Sequence, residues 1–287
     1  MKLNSFKKTD KNSNQQDTKP FLRWAGGKNR IVNFLEEHMP PNFSNGNEYY
    51  EPFLGAGSLF FRLKPLNATL SDNNKDLIEC YKAVQKNPEL IVKHLQRYLL
   101  NNCRNYYYKM RDKYNNSNPS IAKAALFIYL NKTCFNGIWR VNKKGEFNVP
   151  YGYREPLLPS KDNLLNPSTA LSKARIIHED YKKVVEYARK GDFIYFDPPY
   201  PPLNGTSYFT HYTKEGFNRE DHSELASVAK MLNKKGCYIM ISNADIQFIR
   251  SLYKEVFNLY DLEVTRRISA NGKRHKVQEL IITNYEV

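Results

Sequence analysis

Four apolar residues, Phe193-Ile194-Tyr195-Phe196, run without a break into Asp197-Pro198-Pro199-Tyr200. That junction limits the possible folds more than any other stretch of the chain. Proline lacks a backbone N–H, and it pushes the preceding residue out of helical geometry, so the run cannot lead into a helix. It reads instead as a short strand buried on both faces, the kind found in parallel sheets. A second such strand is expected at Tyr238-Ile239-Met240-Ile241. Before it, Leu225, Val228, Ala229 and Leu232 stand at helical spacing, and Gly236 is placed to stop that helix.

The same alternation opens the chain. Order should begin near Pro20-Phe21, and a turn at Ala25-Gly26-Gly27 leads to a helix with Ile31, Phe34 and Leu35 on one face. Glu48-Tyr49-Tyr50 reads as a strand entering the loop Gly55-Ala56-Gly57, with Ser58 as cap of a helix over Leu59 to Leu63. Ala68-Thr69-Leu70-Ser71 reads as the next strand, ending at Asp72. Further on, a strand is expected at Arg175-Ile176-Ile177-His178, and two more at roughly 259–265 and 277–284 around the basic segment Arg266 to Lys276.

The middle is composed differently. Ile91, Leu95, Tyr98 and Leu99 mark one helix; Pro119 stands at the first turn of another carrying Ala122, Ala125, Leu126 and Tyr129. From Asn131 to about Pro167 the polar, Gly- and Pro-punctuated sequence implies a long loop or hairpin. The expectation is an α/β sheet domain over 20–75 and 175–287, interrupted by a mostly helical domain over 76–174. Residues 1–19, nearly free of apolar side chains, read as a disordered tail.

Composition narrows the partners. Lys and Arg number 44 against 29 Asp and Glu, a formal net charge of +15, which favours a polyanion; an aromatic content of 14% adds surfaces on which bases can stack. The longest apolar run, Ala124 to Leu130, is too short to span a bilayer, and the polar start holds no signal peptide, so neither a membrane protein nor a secreted one is expected. Cys80, Cys103, Cys134 and Cys237 are scattered, and the histidines lack ligand spacing, so a cytoplasmic protein without disulfide or metal is expected. We expect a monomer.

Three segments could carry chemistry. Asp197 to Tyr200 would lie at the carboxyl end of a strand, where open α/β sheets bind ligands. A carboxylate beside the free Pro198 carbonyl makes two acceptors for a substrate –NH2, Pro199 stiffens the turn, and Tyr200 offers a flat face to a ring. An exocyclic amine on a heterocycle is a poor nucleophile, and two acceptors gripping its hydrogens would help it pyramidalise and attack. The structural alternative is a proline-stiffened turn after a core strand. Glu51-Pro52-Phe53-Leu54-Gly55-Ala56-Gly57 would let backbone approach a cofactor, and Asp72 stands near the spacing of an acid that takes a ribose diol. An ordinary tight turn is the alternative there. Arg23-Trp24-Ala25-Gly26-Gly27-Lys28 is not a P-loop, since Asn29 replaces the required Ser or Thr; it reads as a glycine turn with Lys28 reaching an anion. Two basic stretches flank the site: Lys132 to Arg154, interleaved with Phe135, Trp139, Phe147 and Tyr151, and Arg266 to Lys276. They are solvated faces or, more in keeping with their position, phosphate contacts.

On these residues the chain resembles the Dam-type DNA adenine-N6 methyltransferases, over about 20–287. Trp24 to Lys28 is similar to the family's N-terminal cofactor motif, Glu51 to Gly57 to its glycine loop, and Asp197 to Tyr200 to its catalytic tetrapeptide. Asn136-Gly137 through Arg140 to Glu146-Phe147-Asn148-Val149-Pro150 resembles the hairpin that reads DNA, and Ile241-Ser242-Asn243 a late strand motif. The chain departs at its longer tail and at Arg23, where Lys is common.

The resemblance implies a Rossmann-like class I methyltransferase sheet with an inserted DNA-recognition domain, acting on double-stranded DNA with S-adenosylmethionine. By it, Trp24, Ala25, Gly26, Lys28, Glu51, Phe53, Gly55, Gly57, Asp72, Asp180, Tyr181 and Asp197 would hold the cofactor. Asp197, Pro198, Pro199 and Tyr200 would be catalytic, on an adenine flipped out of the duplex. Lys28, Asn136, Asn148, Pro150, Arg154, Lys273 and Arg274 would contact DNA. Phe135 would fill the gap, Arg140 read a guanine and Ile138 meet a thymine methyl, which points to a GATC-like site. The same chemistry on RNA adenine or a protein amide, or a non-catalytic DNA-binding protein, are the rival readings. A solitary regulator, a phage enzyme and the protective partner of a restriction nuclease all share the pattern.

Overall fold

The computed structural model describes residues 18–44, 46–153, 162–201, 217–267 and 274–287, with backbone alone at 265–267 and 274–276. Most of the tail expected at 1–19 therefore lies outside the described residues, while Thr18 is buried.

Seven strands form one sheet: β1 Tyr49–Glu51, β2 Ala68–Asp72, β3 Arg175–His178, β4 Phe193–Phe196, β5 Tyr238–Ala244, β6 Asn258–Arg267 and β7 Arg274–Thr283. Their order is β3-β2-β1-β4-β5-β7-β6. The first five run parallel, and β7 pairs antiparallel with both β5 and β6. All four residues of β4 are buried. Phe193 and Tyr195 join the core on one face, Ile194 and Phe196 the core on the other. Two covered faces explain why the run is apolar without alternation.

Helices α1 Val32–Glu37, α2 Ser58–Leu63, α3 Lys75–Lys86, α4 Pro88–Leu100, α5 Arg104–Asn115, α6 Ile121–Thr133, α7 Asp162–Leu171, α8 Val184–Tyr187, α9 Arg219–Lys234 and α10 Gln247–Tyr253 complete the fold. Asn74 starts α3 by accepting from the Leu77 N–H at 3.0 Å. α3 then packs on β2 and β3 and also on α6 and α7, which links the sheet to the helical segment. Every residue of α6 from Ala124 to Asn131 is buried, and α3, α4 and α5 surround it. A helix apolar all round belongs in a core. Among the described residues no helix is long and apolar enough to cross a membrane.

Several local readings change. Ser58 is the first helical residue, and the position before it is Gly57 at φ 65°, which no side chain caps. Pro119 lies outside α6, whose cap is Ser120, accepting from the Lys123 N–H at 3.1 Å. The expected loop after Asn131 is shorter: α6 continues to Thr133, and α7 occupies Asp162–Leu171 with Pro167 inside it. Between them Cys134 pairs with Tyr151 and Val141 with Phe147 as an antiparallel hairpin. Its tip closes on Asn142, whose Oδ1 accepts from the N–H groups of Lys144 and Glu146, with Gly145 at φ 83°.

Candidate active site

β1 has β2 on one side and β4 on the other, so the chain departs in opposite directions from these two neighbouring parallel strands. In open α/β sheets the carboxyl ends of strands at such a switch point are where ligands bind. β1 ends in Glu51, β2 in Asp72, and β4 delivers Asp197.

Glu51 is buried, and its Oε2 accepts from the Tyr49 hydroxyl at 2.7 Å and the Phe60 N–H at 3.3 Å. Burial pushes its pKa up to about 8; those two hydrogen bonds oppose the rise, and the charges of Asp197 and Asp72 add to it. A cationic group set against it would draw the carboxyl back towards ionisation. Asp72 is raised by burial to about 6, while backbone N–H groups hold it down. Its Oδ2 accepts from Gly55 N–H at 3.1 Å and its Oδ1 from Asn74 N–H at 2.9 Å, so one carboxyl ties the end of β2 to the glycine loop. Gly55 sits at φ 47°, and a Cβ there would come within 2.8 Å of Trp24 Cδ1. The indole therefore lies directly on the loop, and only glycine fits beneath it.

Lys28 is 5% exposed. Its Nζ is 2.6 Å from Asp197 Oδ1, donates to the Gly26 carbonyl at 2.7 Å, and lies 4.6 Å from the centroid of the Tyr200 ring. The anion that Lys28 reaches here is thus the Asp197 carboxylate. Tyr200 donates its hydroxyl to Glu279 Oε2 at 3.0 Å, and Glu279, on β7, is 3% exposed. Glu279 is not among the residues expected from the sequence; its one local signal is an acid directly before the apolar run Leu280-Ile281-Ile282. On the far side of the glycine loop, Phe53 stacks on Tyr181 at 5.1 Å and meets Phe217 edge-on at 5.7 Å. Asp180, next to Tyr181, accepts from the Lys182 N–H at 2.9 Å.

The hairpin carries a second group of residues. Arg140 is exposed, with its Nε donating to Asn148 Oδ1 at 2.9 Å, and Phe135 is 51% exposed. Asn136 is exposed at φ 56°, Ile138 is half-buried, and the Pro150 carbonyl accepts from the Phe135 N–H at 2.8 Å. Trp139 and Phe147 are not surface residues. Trp139, 2% exposed, is stacked between Phe127 of α6 at 3.8 Å and Phe147 at 4.4 Å. Arg154 and Lys273 lie outside the described residues, and of Arg274 only the backbone is described.

The base of the hairpin is fastened to the segment bearing Trp24 and Lys28. Asn131, fully buried on α6, accepts from the Arg23 N–H at 2.8 Å and donates to the Arg23 carbonyl at 2.7 Å. The Arg23 side chain lies so close over Gly137 that a Cβ there would meet its Cδ at 2.6 Å. Among the described residues no group of His, Cys, Asp and Glu could hold a metal ion.

Comparison with known proteins finds a family and several relatives. Residues 24–268 match the family described as D12 class N6 adenine-specific DNA methyltransferase. The chain is 41% identical to the type II methyltransferase M.MjaIII of Methanocaldococcus jannaschii, over 94% of this chain and 100% of that one. It is 38% identical to the type II methyltransferase M1.LlaDCHI of Lactococcus lactis subsp. cremoris, over 95% and 97%. With the DNA adenine methylase of Escherichia coli K12 it shares 36% identity, over 91% and 93%.

Proposed function

The chain belongs to the D12 class N6 adenine-specific DNA methyltransferases, and from that premise we propose how its crevice works and which adenine it modifies. It is an enzyme that methylates adenine N6 in DNA, with S-adenosylmethionine as the methyl donor. That cofactor supplies a methyl group on a positively charged sulfur, ready for attack by a nucleophile.

The residues at the ends of β1 and β2 suit it. The glycine loop, free of side chains beneath Trp24, is a cradle that a Cβ would fill. The buried Glu51 carboxyl suits a cationic group, Asp72 a diol, and Phe53 with Tyr181 an aromatic ring. Trp24, Ala25, Gly26, Lys28, Glu51, Phe53, Gly55, Gly57, Asp72, Asp180 and Tyr181 would hold it.

Asp197 and the Pro198 carbonyl accept the two hydrogens of the adenine amine, and Tyr200 stacks on the ring. The acceptors favour the pyramidal amine, whose lone pair is released from the ring for attack. The target base is flipped into the crevice, because its amine cannot be reached inside the stack. The helical segment 76–174 and its hairpin serve as the DNA-reading unit. Phe135, the exposed aromatic of that hairpin, props the gap. Arg140 reads a guanine: Asn148 holds its Nε, which leaves the two terminal nitrogens for a bidentate contact. Ile138 meets a thymine methyl, and the site is GATC.

The observation that carries this reading is the convergence of Lys28, Asp197 and Tyr200 at the strand ends that also bear Glu51 and the glycine loop. Its test is methyl transfer from labelled S-adenosylmethionine to two duplexes, one with adenine in GATC and one with that adenine replaced. Label enters the first alone; equal labelling of adenines outside GATC would sink the assigned site. In the Arg140→Ala enzyme, discrimination at one base pair falls by roughly 1–3 kcal/mol, read from rates on duplexes varied at each position. A loss equal for all sequences would make Arg140 a phosphate contact instead.

A further inference from the structure

His222 lies on α9 with the Pro199 backbone beside its ring, and no part of it reaches solvent. A fully buried imidazole is uncommon unless its nitrogens have partners, because an unpaired polar atom keeps its desolvation cost. One nitrogen has a partner. Asn243 of β5, itself fully buried, places its Nδ2 at 3.4 Å from His222 Nδ1. The orientation of that amide is fixed, since Asn243 Oδ1 accepts from the Ala244 N–H at 2.8 Å. Asn243 Nδ2 can only donate, so Nδ1 must accept. The proton of the neutral ring then sits on Nε2.

Among the described residues, Nε2 has no partner at full hydrogen-bond geometry. The backbone group that faces the ring is that of Pro199, and a proline has only a carbonyl to offer. Phe217 meets the ring edge-on at 4.7 Å and Phe248 at 6.5 Å, so apolar walls shut out water from those sides. Burial lowers the pKa of His222 to about 4, which keeps the ring neutral in ordinary conditions.

We propose that His222, fixed by Asn243 as the Nε2–H tautomer, is a positioning residue that donates to the Pro199 carbonyl and so sets the aim of the catalytic loop. The contact shortens to a full hydrogen bond when the target base enters, as catalytic contacts commonly tighten in the substrate complex. Anchoring that carbonyl fixes the peptide between Pro199 and Tyr200. The Tyr200 ring, held at its other end by Glu279, then has one orientation, and the Pro198 carbonyl beside it keeps its direction towards the amine. The inference rests on the reading of Asp197 to Tyr200 as the loop that grips the amine.

The test begins with the wild-type enzyme. Nitrogen-15 resonances of His222 show a protonated Nε2 and a bare Nδ1, with the Nε2–H signal moving on addition of a GATC duplex. A proton on Nδ1, or no response to duplex, would overturn the proposal whatever the variants do. Single-turnover assays follow. His222→Leu slows methyl transfer by about 10- to 100-fold, as expected for misplaced reacting groups, with cofactor affinity unchanged. His222→Gln, whose amide nitrogen stands about where Nε2 does, recovers most of the rate, while His222→Asn, which mimics only Nδ1, does not. Equal rates for the Leu and Gln enzymes at wild-type level would remove the role. Turnover by wild type on GATC, and its loss in Asp197→Ala, tests the underlying reading separately from the tautomer.

Discussion

Asp197→Ala enzyme transfers methyl groups at least about 10²–10³-fold more slowly than wild type, while its affinity for duplex is not reduced. The rate estimate follows from removing one of two groups aimed at charge that develops in the transition state, which costs that much in comparable sites. The binding expectation follows from charge: a chain of net +15 loses one negative group, so attraction to phosphate does not weaken. A second effect accompanies the first. Lys28 is buried and its ammonium sits 2.6 Å from Asp197 Oδ1, so the Ala variant leaves that cation without its carboxylate. A buried charge left without its partner destabilises the site. Asp197→Asn separates the two contributions, because it removes the charge and keeps an acceptor oxygen. Labelled cofactor in single-turnover mode reads the rate, and gel shift reads the binding. Wild-type turnover in the Ala enzyme would refute the amine-gripping role.

The largest loss of stability is expected from Trp139→Ala. The indole fills the space between Phe127 and Phe147 and is edge-on to Tyr114 at 5.6 Å. Removing a core tryptophan costs about 3–5 kcal/mol, since the packed rings cannot collapse into the void. Thermal unfolding should then move down by on the order of 10 °C. Phe135→Ala is the matched control: that ring is 51% exposed, and its loss leaves melting nearly unchanged. A melting temperature in Trp139→Ala equal to wild type would mean that the hairpin is not seated on α6 by this stack.

Trp139 also shows where reading a sequence stops. It stands in a stretch rich in Lys and Arg, and the local pattern speaks for a surface. Its burial is decided by Phe127, which belongs to a different element, and only tertiary structure brings the two together. The strands β4 and β5 were legible because a sheet covered on both faces needs continuous apolar runs, a local property. α5 was not, because its buried residues, Tyr107, Met110 and Tyr114, are few among polar neighbours. Asp72 and Asp197 were legible as candidate site residues because each stands at the end of an expected strand, while Glu51 came with the glycine-loop motif. Their partners are another matter. That Lys28 pairs with Asp197, and that Tyr200 rests on Glu279, are contacts between distant parts of the chain that no spacing encodes.

The clamp of Asn131 on the Arg23 backbone has a consequence for how such enzymes can change. Arg23 lies five positions before Lys28, and the same arginine packs on Gly137 at the foot of the hairpin. The hairpin and the lysine that pairs with Asp197 therefore share one bolt. A hairpin grafted from a relative of different specificity would arrive without its matching N-terminal segment, and the graft would disturb turnover even on its new target. On the proposed roles, specificity is inherited together with the segment around Arg23 and is not exchanged as a cassette.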